Sequence, residues 1–187
     1  MPAERRFQIL CVCTGNICRS PAAERLLAAR LGPEVQVSSA GTYALVGQPM
    51  SPPMDQLVQS AGAESGGFAA RRLTERMLQP VDLVLALTRA HRGDVVELWP
   101  KAVRRTFTLK EFARLVSEID LASLPSGGPG ERLRAAVPLA SARRSQVLDP
   151  RLDDVVDPYR QPPGIYGEAY AGIEQAVSSI VRIFGPR

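Results

Sequence analysis

The apolar residues of this sequence fall into short runs that alternate with longer segments of helical periodicity. Four of the runs predict β-strands, over residues 7–13, 35–39, 81–87 and 103–106. The first and third are mostly apolar, which is typical of strands buried on both faces of a parallel sheet. The other segments predict a short helix near Thr74 and longer helices over residues 20–31, 54–60, 89–98, 110–119 and 165–183.

The first helix has signals at both ends. Ser20 can act as its N-cap, and Pro21 suits the first turn, where a missing N–H is tolerated. Gly32 and Pro33 end it. Strands that alternate with helices in this way predict a three-layer α/β fold, in which helices cover both faces of a four-stranded parallel sheet.

The length and composition fit one domain. The chain has 187 residues, of which 45% are apolar and 22% charged, as in an ordinary globular protein. Residues 122–149 are rich in Pro, Gly, Ser and Arg, and too little chain follows them to form a second domain. We therefore expect a single domain over residues 1–187 with a loop insertion at about 122–149, in which residues 131–137 could form a helical turn or two.

The charge and the N-terminal segment limit the choice of partners. The net charge of +4 favours anionic ligands, but the arginines are scattered and form no nucleic-acid-binding motif. The apolar run at residues 7–12 is too short to span a membrane, and it lacks a secretory cleavage pattern. We therefore expect a cytoplasmic protein with neither nucleic acid nor membrane as a partner.

The three cysteines, Cys11, Cys13 and Cys18, lie within a stretch of eight residues. An odd and tightly clustered set is a poor disulfide framework. A zinc site would need ligands from elsewhere, and the chain has a single histidine, His91. The cluster therefore indicates reactive cysteine chemistry, and we expect no metal and no cofactor.

The segment between the first strand and the first helix carries this chemistry. It begins at Cys13 and reaches Arg19 after five intervening residues. This spacing allows a loop whose backbone N–H groups surround one tetrahedral anion at a helix N-terminus, and Gly15 permits a backbone conformation that other residues resist. Beside Cys13 and Arg19, we expect phosphate or another oxyanion to contact Thr14, Gly15, Asn16, Ile17, Cys18 and Ser20.

Two side chains of this loop predict phosphoryl transfer. Arg19 can present a planar fork to two oxygens of the anion, a role that suits arginine better than lysine. The positive field of the loop favours the thiolate of Cys13, which is the nucleophilic form, and Ser20 could donate a hydrogen bond to its sulfur. Asn16 could brace the loop through hydrogen bonds to its backbone. Because Arg19 and the amides hold the phosphoryl oxygens, a phosphocysteine intermediate would need no metal.

The reaction also needs a proton donor for the leaving oxygen. Asp157 precedes Pro158 in a loop after the last strand, where an α/β fold can present it at the carboxyl edge of the sheet. We expect Asp157 to protonate the leaving group and then, as a carboxylate, to activate water.

The remaining candidates have structural interpretations. Cys11 is expected to be a small core residue. His91 is expected to be a surface or hydrogen-bonded helical histidine, because this chemistry does not need a histidine base. Cys18 could pack in the core or form a reversible disulfide with Cys13, and the residues leave both possibilities open.

Several segments together resemble the low-molecular-weight protein tyrosine phosphatase family. Residues 12–24 resemble its signature loop, residues 157–159 its general-acid loop, and residues 39–42, 68–73 and 86–92 other family segments. The resemblance covers most of the chain except the insertion. It implies a four-stranded parallel sheet, a phosphocysteine intermediate and phosphotyrosine in proteins as the substrate. It also implies Cys13, Arg19 and Asp157 as catalytic residues and Tyr159 in the substrate cleft.

Three features depart from the family pattern. The first is the insertion, and the second is Leu45, which stands where many members have an aromatic cleft wall. Tyr43 could take over the role of that wall residue. The third is the segment after Tyr159, in which Arg160 could attract acidic residues that flank a substrate tyrosine.

Three other functions are compatible with this loop. Thioredoxin-coupled arsenate reductases need further cysteines downstream, and this sequence has none after Cys18. Phosphoarginine phosphatases favour a smaller polar residue at the position of Ile17, so Ile17 and Tyr159 favour phosphotyrosine. A phosphate-binding module without turnover would not need the combination of Cys13, Arg19 and Asp157.

Overall fold

The four strands pair into one parallel sheet in the order β2-β1-β3-β4. The structure is a computed structural model and describes residues 5–144 and 149–186. The strands are β1 (Phe7–Cys13), β2 (Val35–Gly41), β3 (Leu83–Ala86) and β4 (Thr106–Thr108). The helices are α1 (Arg19–Leu31), α2 (Pro52–Ser60), α3 (Glu75–Leu78), α4 (Arg89–Leu98), α5 (Leu109–Ser117), α6 (Pro129–Ala142) and α7 (Pro163–Phe184). The predicted α/β class with a four-stranded parallel sheet is confirmed.

Strand β1 lies in the middle of the sheet, and its side chains alternate between two cores. Its odd-numbered residues from Phe7 to Cys13 belong to the larger core, which α1, α5 and α7 cover. Leu10 and Val12 face the smaller core with Val95 of α4. Burial on both faces explains why this strand is mostly apolar. None of the helices in the described ranges is long and apolar enough to cross a membrane.

The parallel register brings three strand ends to one edge of the sheet. Cys13, the last residue of β1, pairs with Gly41, the last residue of β2. On the other side of β1, Val12 pairs with Ala86, the last residue of β3. The segments that follow β1, β2 and β3 therefore start side by side, and the predicted loop from Cys13 to Arg19 lies between the other two.

The fourth strand starts three residues later than predicted. Residues Pro100–Arg105 form a 3₁₀ helix, and β4 follows at Thr106–Thr108. Proline favours the first position of a helical turn, because its φ is already helical and its missing N–H would have no partner there. The local signal of Pro100 therefore prevails over the apolar residues that suggested a strand over 103–106.

The predicted loop insertion contains a helix. α6 (Pro129–Ala142) has 14 residues and is far longer than the one or two turns expected over 131–137. Its buried residues Leu133, Ala136, Val137 and Ala140 recur at helical spacing and belong to the larger core. The Pro, Gly and Ser content that suggested a loop is concentrated before this stripe. Residues 145–148 of the predicted insertion lie outside the described residues.

α6 packs at the end of the sheet where the strands begin. Gly130 lies against Phe7, the first residue of β1. Further along the helix, Arg134 donates a hydrogen bond to the carbonyl oxygen of Arg5 at 3.2 Å. The helix of the predicted insertion therefore lies near the opposite end of the strands from the loop that follows Cys13.

A buried carboxylate connects α6 to α4 and β4. Glu111 is 1% exposed, and its Oε2 accepts a hydrogen bond from Nη1 of Arg92 at 2.9 Å. Its Oε1 lies 3.2 Å from Nε of Arg144, which follows α6. Arg144 also donates to the carbonyl oxygens of Val103, at 3.0 Å, and Thr106, at 2.6 Å. One carboxylate thus compensates two guanidinium groups.

We predict that Glu111→Gln destabilises the protein by about 2–3 kcal/mol. Removing one partner of a fully buried ion pair costs roughly 3–5 kcal/mol, and Arg92 and Arg144 are partly exposed. Urea unfolding measures the change. Glu118→Gln, an exposed neighbour just after α5, is the matched control and should change the free energy of unfolding by less than about 0.5 kcal/mol. Equal losses in the two variants would contradict the prediction.

Candidate active site

The loop between β1 and α1 directs its backbone N–H groups towards one concave side. The carbonyl oxygens of residues 13, 14, 15 and 17 accept hydrogen bonds of 2.7–3.0 Å from backbone N–H groups of the segment 42–51. The described peptide bonds are all trans, so each carbonyl points away from the N–H of the next residue. The N–H groups of residues 14, 15, 16 and 18 therefore face away from segment 42–51, as an anion-binding loop requires.

Asn16 holds this loop from behind. It is fully buried and has a φ of 55°, in the left-handed region that asparagine tolerates better than most residues. Its Nδ2 donates to the hydroxyl oxygens of Ser20, at 2.9 Å, and Ser39, at 2.8 Å. Its Oδ1 accepts from the backbone N–H of Arg71 at 2.9 Å. Three hydrogen bonds thus compensate the buried amide and the unfavourable backbone conformation.

The loop also needs the glycine at the end of β2. A Cβ atom on Gly41 would lie 2.3 Å from the carbonyl oxygen of Thr14 and 3.0 Å from the backbone nitrogen of Asn16. These neighbours are loop backbone, which cannot move aside without changing the loop. Gly41 is therefore required for the close approach of the two segments.

The three residues predicted as catalytic lie together at the concave side of the loop. Sγ of Cys13 is 2.9 Å from Oγ of Ser20. The guanidinium of Arg19 is buried, and its Nη1 donates to the carbonyl oxygen of Val155 at 3.2 Å. Its Nη2 lies 2.8 Å from Oδ2 of Asp157. Residues 144 positions apart in the sequence, Cys13 and Asp157, are thus brought to one site.

These residues open into a cleft with an apolar rim and a volume of about 120 Å³. The rim side chains Tyr43, Leu45 and Tyr159 are 71%, 40% and 41% exposed. The cleft is lined by Cys13, Thr14, Gly15, Ile17, Cys18, Arg19, Tyr43, Leu45, Asp157 and Tyr159. Leu45 stands where many family members have an aromatic wall residue, and Tyr43 was the predicted replacement. Both side chains line the cleft.

Asn16 and Ser20, two of the residues predicted to contact the anion, place their side chains behind the loop. The side chains of Asn16 and Ser20 are fully buried and do not line the cleft. Asn16 braces the loop, and Ser20 contacts the sulfur of Cys13. Ser20 is also not the N-cap of α1, because Cys18 occupies that position. The hydroxyl group of Ser20 instead contacts the sulfur of Cys13 and accepts a hydrogen bond from Nδ2 of Asn16.

The segment around Asp157 is fixed by local contacts. Oδ1 of Asp157 accepts a hydrogen bond from the backbone N–H of Tyr159 at 3.1 Å. Arg160 has a φ of 58°, and its guanidinium lies 5.0 Å from the centre of the Tyr159 ring. The arginine thus stacks on the rim of the cleft beside the carboxylate.

The other two cysteines are buried, Cys11 in the core and Cys18 at the wall of the cleft. All three cysteines are free, and Cys11 is fully buried, as the sequence predicted. Burial raises the pKa of Cys11 well above its ordinary value, and burial raises the pKa of Cys18 to about 11. Both thiols are therefore protonated at neutral pH. A reversible disulfide between Cys13 and Cys18 stays a prediction.

His91 contacts the loop of the site, a position that the sequence did not predict. His91 was expected to be either a surface residue or a hydrogen-bonded helical residue, and it is buried. Its Nε2 lies 2.8 Å from Oγ1 of Thr14 in the loop. Its Nδ1 lies 2.9 Å from Oγ1 of Thr88, the N-cap of α4. The sequence did contain one signal for this position. Thr88 can act as an N-cap for the residue three positions later, His91, and both follow a strand that ends beside the loop.

Burial, and next the positive charge of Arg19, lower the pKa of His91 to about 4, while Asp157 and Asp154 oppose the change. In the unfolded chain the pKa is near its ordinary value of 6.5. The unfolded state therefore binds more protons in this range, so the stability contributed by neutral His91 is complete above about pH 6.5 and decreases as the pH falls towards 4.

We predict that His91→Gln weakens the loss of stability on acidification. Urea unfolding at several pH values between about 4.5 and 7 gives the dependence for both proteins. The difference between the two curves isolates His91 from carboxylates that titrate in the same range. Parallel curves for the wild type and the variant would show that the pKa of His91 is not lowered in the folded state.

The order of these parts defines a class of site. A strand leads into an amide-lined loop that begins with a cysteine and ends with an arginine, and a helix follows. This is the phosphoryl-binding site of cysteine-dependent phosphatases. The family model described as "Low molecular weight phosphotyrosine protein phosphatase" matches residues 8–136. The chain belongs to this family, which consists of phosphoric monoester hydrolases. The matched range contains the loop and Arg19 but ends before Asp157.

The relatives of this chain include proteins named for two different substrates. The chain is 41% identical over 133 residues to a protein-arginine-phosphatase of Geobacillus stearothermophilus, covering 70% of this chain and 86% of the relative. It is 43% identical over 111 residues to the low molecular weight protein-tyrosine-phosphatase Etp of Escherichia coli K12, covering 59% of this chain and 74% of the relative. The solved structure of the YwlE arginine phosphatase from Geobacillus stearothermophilus superposes with a TM-score of 0.69 at 30% identity, covering 94% of this chain and 91% of that chain.

Proposed function

We propose that this protein hydrolyses phosphotyrosine in proteins through a phosphocysteine intermediate and without a metal ion. The observation that carries the proposal is the meeting of Cys13, Arg19 and Asp157 at one cleft. The amide-lined loop and the family membership support the same reaction. The roles of the individual residues follow from their positions around this cleft.

In the first step the thiolate sulfur of Cys13 attacks phosphorus. The S–P bond forms while the bond between phosphorus and the phenolic oxygen breaks, and Asp157 gives its proton to that oxygen. The phosphoryl oxygens are held by the N–H groups of the loop and by Arg19, which spread the negative charge. Oγ of Ser20 lies 2.9 Å from the sulfur, where its hydroxyl can donate a hydrogen bond to the attacking thiolate.

The contact between Arg19 and Asp157 couples binding to this proton transfer. Nη2 of Arg19 lies 2.8 Å from Oδ2 of Asp157, so an oxyanion held by the guanidinium lies next to the carboxyl group. Arg19 thus places the phosphoryl group within reach of the proton donor. In the second step the carboxylate takes a proton from water, the water oxygen attacks phosphorus, and the S–P bond breaks to release phosphate.

The rim of the cleft supports phosphotyrosine as the substrate. Tyr43 and Tyr159 offer ring faces to an aromatic group that enters the cleft, and Ile17 and Leu45 add apolar surface. A phosphoarginine side chain is the second candidate, because the Geobacillus stearothermophilus relative that matches over 86% of its length is a protein-arginine-phosphatase. The apolar Ile17 favours the aromatic substrate over the guanidinium.

A cytoplasmic location also belongs to this proposal. The nucleophile is a thiol, and reducing compartments keep such thiols free. The scattered basic residues give no reason to add a nucleic acid or a membrane to the partners, which are a phosphorylated protein and the phosphate that is released.

The substrate is tested with phosphotyrosine, phosphoserine and phosphoarginine peptides of one sequence, in the presence of chelator and reductant. We expect phosphate release from phosphotyrosine, at least 10-fold faster than from the other two, and none above background from Cys13→Ser. Preferred turnover of phosphoarginine would keep the mechanism and replace the substrate. Phosphate binding without release from any peptide would identify a binding module without turnover.

We predict that Asp157→Asn slows the enzyme in proportion to the basicity of the leaving group. Loss of general acid catalysis costs about 10²–10⁴-fold for an alkoxide-like or phenolate leaving group, and much less for a leaving group that is stable without a proton. Aryl phosphates of graded leaving-group pKa measure this dependence. Asp120→Asn, an exposed residue outside the cleft, is the control. An equal loss for all substrates would exclude Asp157 as the acid.

A further inference from the structure

We propose that His91 is a positioning residue that orients the hydroxyl group of Thr14 so that its hydrogen points into the cleft. Thr14 directly follows the nucleophile Cys13 and lines the cleft, whereas His91 does not line it. Through Thr14, His91 would supply the site with one more fixed hydrogen-bond donor beside the loop amides. The inference deepens the proposed function and rests on the same oxyanion site.

The position of His91 follows from the sheet. α4 begins directly beyond the carboxyl end of β3, which pairs with β1 on the side away from β2. His91 is in the first turn of α4, with Nε2 towards Thr14 at 2.8 Å and Nδ1 towards Thr88 at 2.9 Å. Both ring nitrogens are thus engaged by hydroxyl groups, and the ring is only 6% exposed.

The direction of the hydrogen bonds follows from the donors that are available. The Oγ1 atom of Thr88 already accepts a hydrogen bond from the backbone N–H of His91 at 3.2 Å. Its own hydrogen is therefore best used towards Nδ1, so the single hydrogen of a neutral imidazole is on Nε2. Nε2–H then donates to Oγ1 of Thr14, and the hydroxyl hydrogen of Thr14 is free to point elsewhere.

The anions of the site provide the acceptor for the hydroxyl hydrogen of Thr14. A chain of donors from Thr88 through His91 to Thr14 ends at a negatively charged group, which is either the Cys13 thiolate or a phosphoryl oxygen. The reverse direction would use the hydrogen of Thr14 on Nε2 and would present only lone pairs to the anion. Burial and the nearby charge of Arg19 lower the pKa of His91 by more than Asp157 and Asp154 raise it. The neutral ring that this direction of hydrogen bonds requires is consistent with that lowered pKa.

The first test is the tautomer of His91, which does not depend on turnover. His91 is the only histidine in the sequence, so a ¹⁵N-labelled full chain without a histidine tag gives the signals of one imidazole. Long-range ¹H–¹⁵N correlation spectra at neutral pH identify the nitrogen that carries the hydrogen. We expect the Nε2–H form with and without inorganic phosphate. The Nδ1–H form, or an imidazolium, would overturn the proposal.

The second test is a double-mutant cycle between His91 and Thr14. His91→Leu and Thr14→Val should each weaken phosphate binding and kcat/KM by about 10-fold, the range for a hydrogen bond to a charged group. The double variant should equal Thr14→Val alone, because His91 acts through that hydroxyl. His91→Gln, whose terminal nitrogen can replace Nε2, and Thr14→Ser, which retains the hydroxyl, should recover most of the loss.

The cycle separates positioning from simple packing. If His91 only stabilised the fold, His91→Gln and His91→Leu would reduce activity in step with Tm, and the His91 and Thr14 effects would add. Either result overturns the proposal, and Tm is measured for every variant. If no peptide is hydrolysed, the tautomer and the phosphate dissociation constants of the same variants still decide the role of His91, while the proposed enzyme function fails separately.

Discussion

A buried amide with an unfavourable backbone conformation determines the shape of the site. Asn16 adopts a left-handed φ and uses its side chain to join three segments of the chain, through Ser20, Ser39 and the backbone of Arg71. Without these bonds the loop would relax, and its amides would no longer face one point. The nucleophile, the guanidinium and the amides are thus placed by a residue that does not line the cleft.

The sheet makes this arrangement possible, because it delivers the supporting segments to one edge. β2 ends at Gly41, whose missing side chain lets the N–H groups of the following segment come close enough to donate to the loop carbonyls. β3 leads into Thr88 and His91, which support the loop from the other side. The surroundings of Cys13 therefore depend on three adjacent strand ends. The helices bury both faces of the sheet and so keep those ends in register.

Local spacing was enough to predict the loop, because Cys13 and Arg19 belong to one continuous segment between a strand and a helix. Asp157 could be chosen from its loop and from the family resemblance. The contact of His91 with Thr14 joins residues 77 positions apart and depends on the register of β3, which no local pattern reports. α6 was missed for a different reason: its composition suggested a loop, although the apolar stripe from Leu133 to Ala140 was present in the sequence.

Arg144 has a further effect at the far side of the molecule. β4 is the outer strand of the sheet, and an outer strand leaves backbone groups free to pair with a strand from another molecule. The guanidinium of Arg144 donates to the carbonyl oxygen of Thr106, the first residue of β4, and it lies 4.2 Å from the centre of the Phe107 ring. Arg144, which follows α6, thus places a positive charge at the start of this buried outer strand, and charge there disfavours edge-to-edge pairing.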